Sequence, residues 1–234
     1  MTVTCDKDLS YTVIRSRRKT ADIVVERDGR VLVRAPKALT DRRIRTIVES
    51  RKLWIYKTLA EWRDANATRV LRGYRNGEGF LYLGRSYRLL LVANQEEPVQ
   101  LKSGRFCMRR DLVESGHATR AKEALRHYLT ERALERISQR VAYFAPKVGV
   151  ASRRVAVRDL KNRWASCSAN GNLAFHWKCI MAPASVIDYI VVHELCHLHH
   201  LDHTEAFWNE VDKLIPDYRE RKDWLRTNGA AMDL

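Results

Sequence analysis

The stretch Val191-Val192-His193-Glu194-Leu195-Cys196-His197 sets two imidazoles four residues apart in an otherwise apolar run. On a helix, residues i and i+4 stack one turn apart on the same face. Two such rings can meet one metal ion at about 2.0–2.1 Å each. Glu194 lies about 100° further round the helix. It falls outside the histidine stripe but within reach of a water beside the ion, which is where a general base belongs. The flanks support a helix: Pro183 suits a first helical position, and Val186, Ile187, Ile190, Val191, Leu195 and Leu198 form a broad apolar face. Three titratable side chains are costly to bury on such a helix unless something pairs with them.

Two histidines leave a metal under-coordinated, because a catalytic zinc site takes three protein ligands and keeps a fourth position open. The downstream candidates are His199, His200, Asp202, His203 and Glu205. His199 and His200 lie two and three residues past His197, rotated from it by about 200° and 300°. His199 therefore points away, and His200 would have to double back. His203 follows a short turn and precedes a new helical pattern, so the chain can swing it over the ion. Asp202 is placed to orient a ligand imidazole. Together His193, His197 and His203 make the expected zinc ligands, with Glu194 as the catalytic base.

Outward from this helix, the chain reads as an α+β protein. Tyr11–Arg15, Ala21–Glu26 and Val31–Arg34 read as a β meander, with a hairpin turn at Arg27-Asp28-Gly29-Arg30. Thr40 is an N-cap candidate for one helix over about 40–64. A second β-rich stretch covers Phe80 to Met108. A long helix follows over about 118–145, closed by Pro146 and Gly149. A strand at Arg154–Arg158 precedes a hairpin whose arms are Arg163–Ser168 and Leu173–Trp177. Two shorter helices, about 204–214 and 216–227, end the chain. The expected organisation is an N-terminal β-rich module over 1–112 and a C-terminal domain over 113–234.

The hairpin arm Arg163-Trp164-Ala165-Ser166-Cys167-Ser168 is a candidate edge strand for an extended peptide, which would pair with it through backbone hydrogen bonds. Trp164, Ser166 and Cys167 are the expected substrate-binding residues. Cys167 and Cys196 suit small core positions better than metal ligation.

Composition narrows the partners. The 234 residues carry 43 Lys+Arg against 28 Asp+Glu, a formal +15. That surplus favours acidic partners, nucleic acid among them. The basic residues are scattered, however, with no zinc-finger spacing and no aromatic RNA-binding signature. Five cysteines, none at C-x-x-C spacing, exclude a disulfide framework and a Cys-type structural zinc site. No apolar run approaches the length that spans a bilayer, and the N-terminus lacks the apolar core of a signal peptide. The expectation is a soluble cytoplasmic protein with no membrane partner; the oligomeric state is not legible.

The chain resembles the YgjP-like metallopeptidase family, a relative of the SprT-like proteases, over nearly its whole length. The matching residues are Arg163–Ser168, Asn172 and Trp177, Ala182–His197, His203–Trp208 and Pro216–Arg221, with Ala35-Pro36 and Leu83–Tyr87 further upstream. The family pattern is departed from at Ala165, where Gly is usual, at Phe175-His176 and at Asp202. The resemblance implies zinc on His193, His197 and His203, a catalytic Glu194, and a zincin-like domain behind an N-terminal β-rich module. Three functions follow as expectations. The first is a zinc metallopeptidase acting on peptide or protein substrates. The second is a nucleic-acid-associated protease acting on DNA-bound proteins. The third is a non-catalytic zinc module, which would have no use for Glu194.

Overall fold

Alternating apolar positions make strands of the Val- and Ile-rich runs in the first third. The computed structural model of the chain describes residues 2–6, 9–26, 29–67, 72–114, 118–160 and 163–234. Its first sheet holds β1 (Thr2–Asp6), β2 (Leu9–Ser16), β3 (Asp22–Val25) and β4 (Val31–Pro36) in the order β1-β2-β4-β3. In β4, Val31, Val33 and Ala35 are buried while their alternates are half-exposed. The β1–β2 and β3–β4 pairs are antiparallel, but β2 and β4 run parallel. The expected meander is thus corrected. Periodicity identifies strands, not partners, and here the β3–β4 hairpin closes on a parallel neighbour. Gly29, at φ 84°, ends the hairpin turn; Arg27 and Asp28 of that turn lie outside the described residues.

The single helix expected over 40–64 is two, α1 (Asp41–Ser50) and α2 (Lys52–Ala67). The Thr40 hydroxyl caps α1 by accepting from the Arg43 N–H. Arg51 breaks the pair with φ −112° and ψ 7°. Ile44, Val48 and Ile55 close one core with Tyr11, Val13, Val31 and Val33.

A second sheet follows: β5 (Gly79–Tyr82), β6 (Arg85–Val92), β7 (Val99–Lys102) and β8 (Arg105–Arg109), ordered β5-β6-β8-β7. Its outer pairs are antiparallel and β6–β8 is parallel. Strand order and sense therefore repeat those of the first sheet, although no sequence repeat announces it. After the short α3 (Asp111–Glu114), the long α4 (Ala118–Val148) buries a stripe at Ala121, Leu125, Leu129, Ala133, Ile137, Val141, Phe144 and Val148. Pro146 lies inside α4 rather than ending it. In the last turn its missing N–H forfeits one hydrogen bond, and Gly149, at φ 81°, makes the exit.

The remaining elements are β9 (Arg154–Arg158), β10 (Ala165–Cys167), β11 (Asn172–His176), a 3-10 turn at Trp177–Met181, α5 (Ala184–Cys196), α6 (Glu205–Leu214) and α7 (Tyr218–Asn228). The third sheet is ordered β10-β11-β9, so β10 is an edge. Pro183 precedes α5 as its N-cap instead of occupying the first helical position. A bidentate pair from Arg140 to Asp188, at 2.6 and 2.9 Å, ties α4 to α5.

The fold class is α+β, as expected. The chain divides into two compact units, Met1–Arg69 and Val70–Leu234. The second sheet lies on the C-terminal side of that division because it shares one core with the helices: Phe80, Leu89, Phe106 and Met108 belong with Leu125, Leu129 and Ile190. No helix among the described residues is long and apolar enough to cross a membrane.

Two predictions follow from the packing. Leu83 and Gly84 form the two-residue turn between β5 and β6, at φ 48° and 77°, and donate to the carbonyls of Ile180 and Met181. A Cβ on Gly84 would sit 2.9 Å from the Pro183 Cα. Gly84→Ala adds that clash to the left-handed penalty of about 1 kcal/mol, so its urea midpoint should fall clearly below wild type. In the first unit, burial raises the Asp22 carboxyl but the hydrogen bonds from Arg34 and Arg18 outweigh it, holding the group at about 2 against 3.8. A depressed carboxylate stabilises above its unfolded pKa, and the contribution is lost as pH falls from about 4 to 2. Asp22→Asn should cost about 1 kcal/mol at pH 7, allowing for solvent screening. The gap from wild type in denaturant titrations should close over that acid range.

Candidate metal centre

Helix α5 is apolar on nearly every side and is buried, with Val186, Ile187, Ile190, Val191, Val192 and Leu195 at 4% exposure or less. Its last turn carries His193 and Glu194, and His197 follows as the C-cap, still in helical conformation at φ −65°. The helical period therefore stacks the two rings, with centroids 4.9 Å apart. The chain then turns through residues 198–203. Thr204 caps α6 by accepting from the Phe207 N–H, which leaves His203 just ahead of the new helix. His203 Nε2 comes 3.0 Å from His193 Nε2. One ligand atom from each of His193, His197 and His203 lies within 4.8 Å of the others.

This donor set fits a divalent metal ion. Tetrahedral imidazole ligation at about 2.0–2.1 Å would hold neighbouring nitrogens about 3.3 Å apart, close to the 3.0 Å between the His193 and His203 nitrogens. His197 Nδ1 lies 2.9 Å from the His200 carbonyl. A carbonyl only accepts, so Nδ1 carries the proton and Nε2 keeps its lone pair. Burial, then the charges of His197, His203 and Lys222, push the His193 imidazole down to about 3. Burial lowers His203 as well. Neutral imidazole is the form that binds metal.

Glu194 is 6% exposed, and its Oε2 is buried with no hydrogen-bond partner among the described residues. Burial pushes its carboxyl up to about 8, opposed by the charge of Arg163. A carboxyl held this way is set to exchange a proton rather than to form a static ion pair.

The floor of the site is aromatic. The fully buried Phe207 ring lies 5.0, 4.7 and 4.8 Å from the rings of His193, His197 and His203. Trp208 stacks on His203 at 5.5 Å, and Tyr218 stacks on Trp208 at 5.0 Å. These residues were not singled out from sequence. Their signal was the period of α6, which sets Phe207 four residues beyond His203.

His199 points away, as its angle requires, and its Nδ1 meets Glu210 at 2.8 Å. His200 Nε2 reaches the other Glu210 oxygen at 3.0 Å, a charge contact without hydrogen-bond alignment. Neither is a ligand. Asp202 makes no side-chain hydrogen bond among the described residues; the His200 carbonyl performs the orienting role expected of it.

The imidazoles open on a cleft of about 350 Å³, walled by Arg163, Ser166, Cys167, Glu194 and Leu201. Ser166 and Cys167 thus stand where expected, on the edge strand β10. Trp164 is not part of the cleft lining. It packs against Gly229 and His176, and its carbonyl accepts from the His176 N–H at 2.7 Å. Tyr189 and Tyr218 are buried and His176 caps the 3-10 turn; none of the three lines the cleft.

The sequence profile described as YgjP-like, metallopeptidase domain, matches residues 19–228. The chain belongs to the YgjP-like family. That membership makes it a metallopeptidase by family, and the match extends through both compact units. No curated protein matches the chain. Among solved structures, the metallopeptidase zymogen of Pyrococcus abyssi abylysin is similar at 26% identity, over 39% of this chain and 92% of that one, with a TM-score of 0.37.

In this YgjP-like chain Glu210 meets His199 at 2.8 Å and lies 3.0 Å from His200, whose carbonyl in turn meets His197 Nδ1. Groups that orient a ligand in this way typically carry a 10–100-fold share of metal affinity. Glu210→Gln should weaken affinity for a divalent ion by about tenfold in a chelator competition, with all three imidazoles intact.

Proposed function

We propose that the protein hydrolyses peptide bonds with a zinc ion on His193, His197 and His203 and with Glu194 as general base. The observation that carries this reading is the convergence of three imidazoles beside one buried carboxyl, whose Oε2 has no hydrogen-bond partner among the described residues, in an open cleft. Zinc suits an all-nitrogen set of three ligands, which leaves a position for water or substrate. When bound there, the ion polarises a peptide carbonyl and makes water more acidic.

The chain's own residues do the rest. An extended substrate pairs with the outer side of β10, so Ser166 and Cys167 set its register by backbone hydrogen bonds. Glu194, which the positive charge of a bound ion would favour as the carboxylate, takes a proton from the attacking water and delivers it to the leaving amine. The apolar surroundings that keep this carboxyl from ionising freely also suit it to give the proton back. Phe207 and Trp208 hold the imidazoles still, limiting the reorganisation the reaction requires.

The geometry disfavours a purely structural zinc site. Such a site is closed by four protein ligands, whereas three imidazoles form this one and the cleft opens on them.

Elemental analysis beside peptidase assays tests the reading. Wild type should carry about one zinc per chain, and a chelator should abolish turnover of an unfolded protein substrate until zinc is restored. Glu194→Gln should keep the metal and lose about 10²–10⁴-fold in kcat. His203→Ala should lose both. A metal-free wild type, or a Glu194→Gln variant of undiminished activity, would overturn it.

A further inference from the structure

The helix pair of the first unit has a face that neither its own core nor the proposed peptidase chemistry uses. Ile44, Val48 and Ile55 turn inward. Opposite them, Arg42, Arg43, Arg45, Arg51 and Lys57 are exposed and form no ion pair with a described residue. The acids nearby are already engaged: Asp41 pairs with Arg15, and Glu49 with Lys52. Large side chains stand among these cations, with Leu53 at 88% exposure, Trp54 at 45% and Tyr56 at 40%. On the helical wheel Trp54, Leu53, Tyr56 and Lys57 all fall on the arc away from Ile55.

We infer that this outer face of α1 and α2 binds single-stranded nucleic acid. The two required elements are present: a row of cations to follow a phosphate backbone, and exposed aromatic planes on which unpaired bases can stack. Residues 1–69 carry 17 Lys+Arg against nine Asp+Glu, a formal +8 on under a third of the chain. That charge repels a second copy of the same face. An anionic membrane surface fits less well. A membrane-surface helix needs a broad apolar side to insert, and the apolar side of this pair is buried against its sheet, which leaves Leu53 as the one exposed aliphatic among these side chains. Duplex DNA would offer the phosphates but hide the base faces.

The test uses the full-length protein and fluorescein-labelled dT20 and rU20, read by anisotropy between 50 and 200 mM NaCl. Binding should weaken by tens- to hundreds-fold over that range as condensed counterions are released. Arg42→Ala with Arg45→Ala and Lys57→Ala should weaken binding and flatten the log–log salt slope by about 2, at about 0.7 per lost phosphate contact. Trp54→Ala should weaken binding about tenfold, whereas Trp54→Phe, which keeps a ring, should stay near wild type. Thermal melts should confirm that the variants are folded. Four results would overturn the inference: no binding at 50 mM salt; binding that both the charge and Trp54 variants leave unchanged; affinity for heparin equal to that for dT20 with no Trp54 effect; or capture by phosphatidylserine vesicles without oligonucleotide binding.

Discussion

Everything in the C-terminal unit answers to one constraint: imidazoles and a carboxyl must sit at the end of a helix that is otherwise apolar. Burial opposes charge on all of them. It pushes the His193 imidazole down to about 3, lowers that of His203, and pushes the Glu194 carboxyl up to about 8. A neutral imidazole still requires its two nitrogens to be assigned. For His197 the His200 carbonyl does so, and it can because the chain turns back at once after α5. The short loop is thus not merely a route to His203. It fixes one ligand's tautomer on the way to delivering the next.

The rest of the unit keeps α5 from yielding to this strain. The pair between Arg140 and Asp188 is only partly exposed, at 22% and 20%, so its charges are less screened than those of a surface pair. The turn between β5 and β6 hydrogen-bonds to the 3-10 segment just before α5 and packs against Pro183. The buried stripe of α4 continues from the second sheet into the same core as α5. Positional precision at the site therefore derives from three separate attachments of one helix, with Phe207 and Trp208 acting on the rings themselves.

The clustering of His193 and His197 was legible in the sequence because helical geometry is local. Spacing alone separates His193 and His197 from Glu194, and the angles of His199 and His200 exclude them without knowledge of the fold. What the sequence concealed was non-local. The runs at Tyr11–Arg15 and Val31–Arg34 were recognisable as strands, but nothing in a strand's alternation says that β2 and β4 pair in parallel. The second sheet repeats the strand order and sense of the first, while its core partners, α4 and α5, arrive much later in the chain. Pro146 misled for another reason. A proline usually marks a helix end, yet in the last turn of α4 it forfeits too little to stop the helix. Trp164 looked like a substrate contact because it adjoins Ser166 and Cys167. Ser166 and Cys167 both wall the cleft, whereas Trp164, just before β10, packs against Gly229 and His176, and only the fold shows that difference.

Charge follows the same division between local and global. The total of +15 looked scattered when read along the chain. Split at the observed boundary, residues 1–69 hold +8 and residues 70–234 hold +7, so the density is more than twice as high in the first unit. The cleft takes little part in this surplus. Among its described wall residues Arg163 is the one basic side chain other than histidine, and its charge acts on the carboxyl of Glu194. A peptide cleft that reads sequence mainly through backbone pairing has no need of a strong field of its own. The cations of α1 and α2 form a separate feature, on helices whose inward faces are already spent on their own sheet.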